Sequence, residues 1–132
     1  MADMMQFDLV SPERKLASME ATSVQIPGAE GDLTAMPNHA AFLTTLRPGL
    51  VSVHNGSEST EYFVTGGFAE VTEAGASVLA EQAMERSAVT SEVIASVLEA
   101  AEQALADAND ETRTTAALRV NDVKFLKDQL GL

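Results

Sequence analysis

The feature of this sequence that most limits its fold is the uneven distribution of the residues that interrupt regular structure. All four prolines and seven of the eight glycines lie before residue 76. The sequence after about Arg86 is rich in Ala, Glu and Leu, with no proline and only Gly131. Proline and glycine interrupt elements, whereas Ala, Leu and Glu favour helices. We therefore predict two structural parts, residues 1–86 and residues 87–132.

The first part contains short segments in which apolar and polar residues alternate. Phe7 and Leu9 have polar neighbours, and Val24 and Ile26 repeat the pattern. A period of two is typical of a half-buried strand. Further strands are predicted at residues 42–46, 50–54, 61–65, 68–73 and 76–83. Short strands at this spacing, with little helix between them, indicate a flattened antiparallel β-sandwich or barrel.

Two glycine-containing pairs predict local backbone geometry. Asn55 and Gly56 lie between two apolar runs, and both tolerate the positive φ that a tight hairpin turn requires. Gly66 and Gly67 lie inside a strand pattern, which indicates a β-bulge or a close approach of two backbones. We predict structural roles for these four residues.

The second part has the pattern of two amphipathic helices joined by a short connector. Thr90 or Ser91 can cap the start of the first helix, and Asp110 can cap the second. The short connector predicts an antiparallel helical hairpin, so the whole chain is expected to be α+β. The residues expected to pack within the hairpin are Val93, Ile94, Val97, Leu98, Leu105, Val120, Val123 and Leu126.

The second helix is apolar over more of its circumference than one neighbour would cover. Leu118 and Phe125 lie on a face adjoining the main apolar stripe. Packing against both the first helix and the sheet is the simpler explanation of so wide a stripe. The alternative is a face that binds another subunit.

The composition excludes several classes of function. The absence of cysteine removes disulfides, thiol nucleophiles and Cys-ligated zinc. Eight basic against twenty acidic residues give a net charge of −12, which disfavours nucleic acid and anionic membranes and favours a basic protein surface as partner. No segment approaches the roughly 18 apolar residues of a membrane span. No secretory signal is visible, so we expect a cytoplasmic protein without direct membrane insertion.

The candidate sites for chemistry are weak. His39 and His54 lack the H-x-x-x-H and H-x-H spacings of metal sites; we expect His54 to be a solvated turn residue and His39 a loop residue available to an interface. The segment Gly28–Gly31 is glycine-rich, but no helix pattern follows it and its acidic neighbours would repel a phosphate. We predict a tight turn with an acidic rim there, and no catalytic residue, metal or cofactor.

Five motifs then follow one another along the chain. They are Pro27–Leu33, Met36–Thr44, Leu46–Gly49, Val64–Val71 and Val78–Glu81. Each is weak alone, but the five in this order resemble the epsilon subunit of F-type ATP synthases, called delta in mitochondria. The resemblance extends over the whole chain. It implies a flattened β-sandwich of roughly ten strands followed by two α-helices, the architecture that the residue patterns predict independently.

The resemblance implies a non-catalytic rotor subunit of a proton-translocating synthase. Members of this family bind the gamma subunit and the ring of c subunits, and they help to couple ring rotation to ATP synthesis. This implies a peripheral position at the cytoplasmic face of the bacterial inner membrane. It leaves open a contact between the C-terminal hairpin and the alpha–beta head. The residues that match the family segments facing the arginine-bearing loops of the c-ring are Glu30, Gly31, Asp32, Asn38 and His39.

The C-terminal hairpin departs from the family members whose tails bind ATP or inhibit hydrolysis. The ATP-binding pattern is an acidic residue followed three positions later by arginine, and here Glu92 is followed by Ala95. The tail after Thr90 holds four basic and eight acidic residues, a poor surface for the acidic beta-subunit segment that inhibitory tails approach. We predict weak inhibition and no useful ATP binding.

Two other classes of function fit parts of the sequence. One is a free-standing regulatory or ligand-binding β-sandwich whose helical hairpin recruits a partner; it would not co-purify with a gamma-like subunit and a membrane ring. The other is a small hydrolase or isomerase. That function would need convergent polar residues, such as a pocket enclosing a histidine and carboxylates.

Overall fold

The computed structural model describes residues 4–38 and 40–132 and divides the chain into two compact units. The first unit ends at Ser87, and the second comprises Ala88–Leu132. The division lies one residue after the boundary predicted from the sequence. The predicted α+β architecture, a β-sandwich followed by two helices, is confirmed.

The first unit contains ten strands within its described residues. They are β1 (Met5–Val10), β2 (Lys15–Ala21), β3 (Ser23–Gly28), β4 (Gly31–Ala35), β5 (Phe42–Leu46), β6 (Gly49–Asn55), β7 (Glu58–Val64), β8 (Gly67–Val71), β9 (Gly75–Ala80) and β10 (Ala83–Glu85). Their hydrogen-bonded order is β10-β7-β6-β3-β5-β8-β9-β1-β2, with β4 paired to β3. Every pair is antiparallel except β1 with β9, which is parallel.

Strand β3 carries the chain from one layer of the sandwich to the other. Its first residues, Ser23 to Gln25, pair with β6, and its last residue, Gly28, pairs with Leu46 of β5. Beyond that pair, the Ala29 amide donates to the Thr45 carbonyl at 3.0 Å. The far end of β3 therefore lies against β5, which places Ala29 of the β3–β4 turn beside Thr44 and Thr45.

The core lies between the inward faces of the strands. Alternate residues of β1 and β9 are buried, among them Phe7, Leu9 and Val78, none of which is measurably exposed. The rings of Phe7 and Tyr62 stack with centroids 6.3 Å apart. Fully burying such a side chain contributes about 1.5–3 kcal/mol. The sandwich is a closely packed body, which resists deformation.

The sequence patterns did not predict β2, β4 or β10 as separate strands. Strand β2 has little alternation, and β4 begins at Gly31, directly after the turn formed by Ala29 and Glu30. The predicted segment 76–83 is split, because β9 ends at Ala80 and β10 begins at Ala83 on a different neighbour. His54 is also placed differently, since it is half-buried within β6 rather than solvated in the turn.

The second unit is a pair of helices, α1 (Ser91–Ala106) and α2 (Arg113–Gln129), which follow a 3-10 turn at Arg86–Ala88. The Thr90 hydroxyl accepts a hydrogen bond from the Val93 amide at 3.2 Å and caps α1. Of the residues expected to pack, Ile94, Val97, Val120, Val123 and Leu126 are buried, and Val93, Leu98 and Leu105 are half-buried.

The turn between the helices is organised by a different residue from the one expected. The Asn109 side-chain oxygen accepts from the amides of Glu111 at 2.9 Å and Thr112 at 3.0 Å. Asp110 has instead a solvent-exposed ion pair with Arg113 at 3.5 Å. The side chain one position earlier therefore satisfies the free amides that precede α2.

Two apolar residues of α2 remain at the surface. Leu118 is 56% exposed and Phe125 is 71% exposed. Within residues 4–38 and 40–132, neither helix combines the length and apolar character needed to cross a lipid bilayer.

Candidate functional site

The turn between β3 and β4 presents two acidic side chains to solvent. Ala29 and Glu30 form the turn, and Gly31 adopts a φ of 130°, a conformation that favours glycine. Gly28 is required for a different reason: a Cβ there would lie 2.9 Å from the Gly31 carbonyl oxygen. Glu30 and Asp32 are both exposed. Within the described residues, neither carboxylate has a hydrogen bond or an ion pair.

This turn forms one wall of an open groove. We call it the acidic groove; it is lined by residues 28–33 on one side and by residues 42–45 of β5 on the other, and it has a volume of about 530 Å³. Phe42 is 43% exposed and Leu43 is 68% exposed. The groove therefore combines unpaired negative charge with apolar surface, a combination that suits a basic side chain with a long aliphatic stem.

The second predicted segment lies near the start of β5. Asn38 has a φ of 66°, and its amide donates to the Glu73 carbonyl at 3.2 Å, in the turn between β8 and β9. Phe42 opposes Val71 at the end of β8 that leads into this turn. His39 lies outside the described residues. Strand β5 thus lies next to both predicted segments, Glu30–Asp32 and Asn38.

Sequence reasoning missed the contribution of β5 to this surface. The residue pattern predicts only that Phe42 and Leu43 belong to a strand, and the resemblance includes them only as members of the Met36–Thr44 motif. They line the acidic groove because β3 bends towards β5 beyond Gly28, a long-range pairing that no local pattern records. The one available signal was the adjacency of two large apolar residues at a strand start, since strict alternation would bury only one of them.

A second surface feature is an apolar row on the outer face of the sheet. Phe68 of β8 and Leu79 of β9 are direct cross-strand partners and are 51% and 49% exposed. Val10 of β1 is the next partner in the row and is half-buried. Adjacent exposed apolar side chains on a rigid sheet are typical of a protein-binding surface.

The predicted glycine positions have specific backbone roles. Gly67 has a φ of 122°, and a Cβ there would lie 1.9 Å from the Leu79 carbonyl oxygen. The adjacent Gly66 carbonyl accepts a hydrogen bond from the Glu81 amide at 2.9 Å. In the β6–β7 turn, Gly56 has a φ of 63°, while Asn55 is the last residue of β6 and pairs with Glu58. The turn residues are therefore Gly56 and Ser57.

Among the described residues for which a shift is resolved, Asp8 and Tyr62 have shifted pKa values, and neither lies in the acidic groove. Hydrogen bonding from Ser18 and the proximity of Lys15, whose Nζ lies 3.1 Å from Oδ1, lower the pKa of Asp8. Burial and the negative charge of Glu85 raise the pKa of Tyr62. In the described part of the chain, no three His, Asp or Glu side chains converge in a metal-binding arrangement.

Comparison with known proteins identifies relatives over the whole chain. A family model described as the ATP synthase delta/epsilon chain β-sandwich domain matches residues 4–86. The ATP synthase epsilon chain of Jannaschia sp. (strain CCS1) is 49% identical over 126 residues, or 96% of each chain. The ATP synthase epsilon chain of Rhodobacter capsulatus is 46% identical over 132 residues, the full length of both chains.

Two solved structures have the same fold at lower identity. A chain of the Euglena gracilis mitochondrial ATP synthase aligns with a TM-score of 0.73 and 20% identity, covering 96% of this chain and 81% of its own length. A chain of the Tetrahymena thermophila mitochondrial ATP synthase central stalk and c-ring structure aligns with a TM-score of 0.69 and 18% identity, covering 96% of both.

Proposed function

Because this chain belongs to the ATP synthase delta/epsilon family, we propose that it is a non-catalytic subunit of the central stalk. In this role it binds the gamma subunit and the c-ring and couples ring rotation to ATP synthesis. Its place is peripheral, at the cytoplasmic face of the bacterial inner membrane. The observation that carries the proposal is the end-to-end likeness to curated epsilon chains, which includes both the sandwich and the hairpin.

The acidic groove supports a contact with the c-ring. Glu30 and Asp32 are exposed and unpaired within the described residues, so a cationic loop would not have to displace an existing partner. Phe42 and Leu43 supply apolar surface for the stem of an arginine side chain. The proposed c-ring surface therefore comprises Glu30, Gly31, Asp32, Asn38 and His39, extended by Phe42 and Leu43.

The apolar row of Phe68, Leu79 and Val10 supports a contact with the gamma subunit. The row lies on the outer face of strands β8, β9 and β1, away from the core. Covering exposed apolar area releases free energy, about 25 cal/mol for each Å². Two separate surfaces on one rigid body allow the subunit to hold two partners in a fixed relation, which torque transfer requires.

Co-purification tests this function against a free-standing regulatory sandwich. The full chain carrying an affinity tag is expressed in its native host and purified from detergent-solubilised membranes. We expect the gamma and c subunits in the eluate at constant ratio. Recovery of the chain without either subunit would contradict the proposal and favour the free-standing alternative.

Two matched variants locate the gamma surface in the same experiment. Leu79→Glu places a charge in the apolar row and should lower the recovery of gamma several-fold. Ser59→Glu places the same charge on an exposed site of β7 and should leave recovery unchanged. Equal recovery from both variants would exclude the apolar row from the gamma contact.

A further inference from the structure

The last strand of the sandwich is short and lies at one end of the sheet. Strand β10 has three residues, and its only strand partner within the described residues is β7. Its register pairs Ala83 with Val64, Met84 with Phe63 and Glu85 with Tyr62. Three residue pairs at a sheet edge are weakly held and are among the first to open locally. The segment that leads into the hairpin therefore depends on additional contacts.

One such contact is an ion pair directly after β10. Arg86 Nη1 lies 2.5 Å from Glu61 Oε1. The other oxygen of the same carboxylate, Oε2, accepts a hydrogen bond from the Ser52 hydroxyl at 3.3 Å. Ser52 of β6 is the cross-strand partner of Glu61 on β7. The Glu61 carboxylate of β7 therefore contacts both Ser52 of β6 and Arg86, the residue that follows β10.

The exposure of this pair makes it reversible. The Arg86 and Glu61 side chains are 42% and 32% exposed, so solvent screens their attraction. A pair of this kind changes a local opening equilibrium by about two- to five-fold. That is too little to decide the stability of the sandwich, but it is enough to change how often a three-residue strand detaches.

We propose that the Glu61–Arg86 ion pair is a latch that keeps β10 on β7 and sets the length of chain available before α1. While β10 is paired, the segment free of the sheet begins at Ser87. When β10 detaches, residues 83–86 join this segment and add about 13 Å of reach at full extension. The latch thereby controls whether residues 83–86 belong to the sheet or to the connecting segment.

Hydrogen exchange of the isolated full-length chain tests the latch. Glu61→Gln removes the charge and keeps the side-chain shape, so amides in residues 83–86 should exchange about two- to five-fold faster. Glu58→Gln, on the same strand, is the matched control because Glu58 has no ion pair within the described residues; its β10 amides should exchange as in the parent. Unchanged β10 exchange in Glu61→Gln would overturn the proposal.

Discussion

Gly67 lies where the backbones of β8 and β9 approach closely. An added Cβ would lie 1.9 Å from the Leu79 carbonyl oxygen, and the residue has a positive φ. Both the clash and the φ penalise any side chain, so Gly67→Ala should lower the free energy of unfolding by about 3 kcal/mol or more. Urea unfolding followed by circular dichroism measures this change.

Gly56 provides the matched control for that substitution. Its φ is 63°, but an added Cβ would have no neighbour within 4 Å. Gly56→Ala should therefore cost only about 1–2 kcal/mol, the conformational term alone. Equal losses for the two variants would show that close backbone contact at Gly67 does not contribute to stability.

Asp8 predicts a pH dependence of stability. Its pKa is lowered in the folded state by Ser18 and Lys15, so the unfolded chain binds this proton more readily. The resulting stabilisation is present above about pH 4 and is lost as the pH falls through the folded pKa. The stability difference between the parent and Asp8→Asn should therefore shrink between pH 7 and pH 3. A difference that grows on acidification would contradict the assignment, and Glu13→Gln, at an exposed site, is the control.

At single residues, sequence patterns predict requirements that are local. The glycine pair at residues 66 and 67 indicates a β-bulge or a close backbone approach, and an added Cβ at Gly67 would lie 1.9 Å from the Leu79 carbonyl oxygen. The Asn55–Gly56 pair predicted the hairpin, but the turn is displaced by one residue because Asn55 stays in the ladder opposite Glu58. The register in which the two strands pair decides which residues form the turn. That register cannot be read from the turn sequence alone.

Between the helices, the turn that the Asn109 side chain stabilises should determine how well α2 begins. Its side-chain oxygen accepts from two amides, so Asn109→Ala should destabilise the hairpin by about 1 kcal/mol. Asp110→Ala should have little effect, because Asp110 makes only an exposed pair with Arg113. Thermal loss of the helical circular dichroism signal measures both. A larger loss of stability in Asp110→Ala than in Asn109→Ala would contradict the role assigned to Asn109.

Helices were easier to predict than strands. A period of 3.6 is contained within each helical segment, so α1 and α2 could be predicted from neighbouring residues alone. Strand β2 has little alternation and is a strand because β1 pairs with it along its length. The parallel pairing of β1 with β9 joins segments more than sixty residues apart in the sequence. Such pairings arise from the packing of the whole sandwich and leave no local pattern.

The hairpin as a unit should not act as a nucleotide sensor. Glu92 and Ala95 lie in the first turns of α1, where the ATP-binding pattern would require arginine at the second position. Calorimetric titration of the full chain should give no saturable ATP binding tighter than about 1 mM. Saturable binding below that concentration would contradict the prediction, as would a large rise in ATP hydrolysis after deletion of the residues beyond Thr90.

At the scale of the whole molecule, the c-ring surface could be predicted only in part. The acidic turn and the Asn38–His39 loop came from the resemblance, because their residue types alone indicate nothing beyond a tight turn and a loop. The apolar half of the acidic groove, Phe42 and Leu43, became visible only when β3 and β5 were placed side by side. No single stretch of the sequence contains a pattern that would predict a surface formed by distant segments.

Cysteine crosslinking in native membranes tests the central claim most directly. Asp32→Cys places the only thiol of the chain in the acidic groove, and Ser57→Cys places it in the β6–β7 turn, at the opposite end of β3. With a second cysteine in the polar loop of the c subunit, oxidation should join Asp32→Cys to the ring and leave Ser57→Cys unjoined. An intact complex in which Asp32→Cys gives no crosslink, or no more than Ser57→Cys, would contradict the claim.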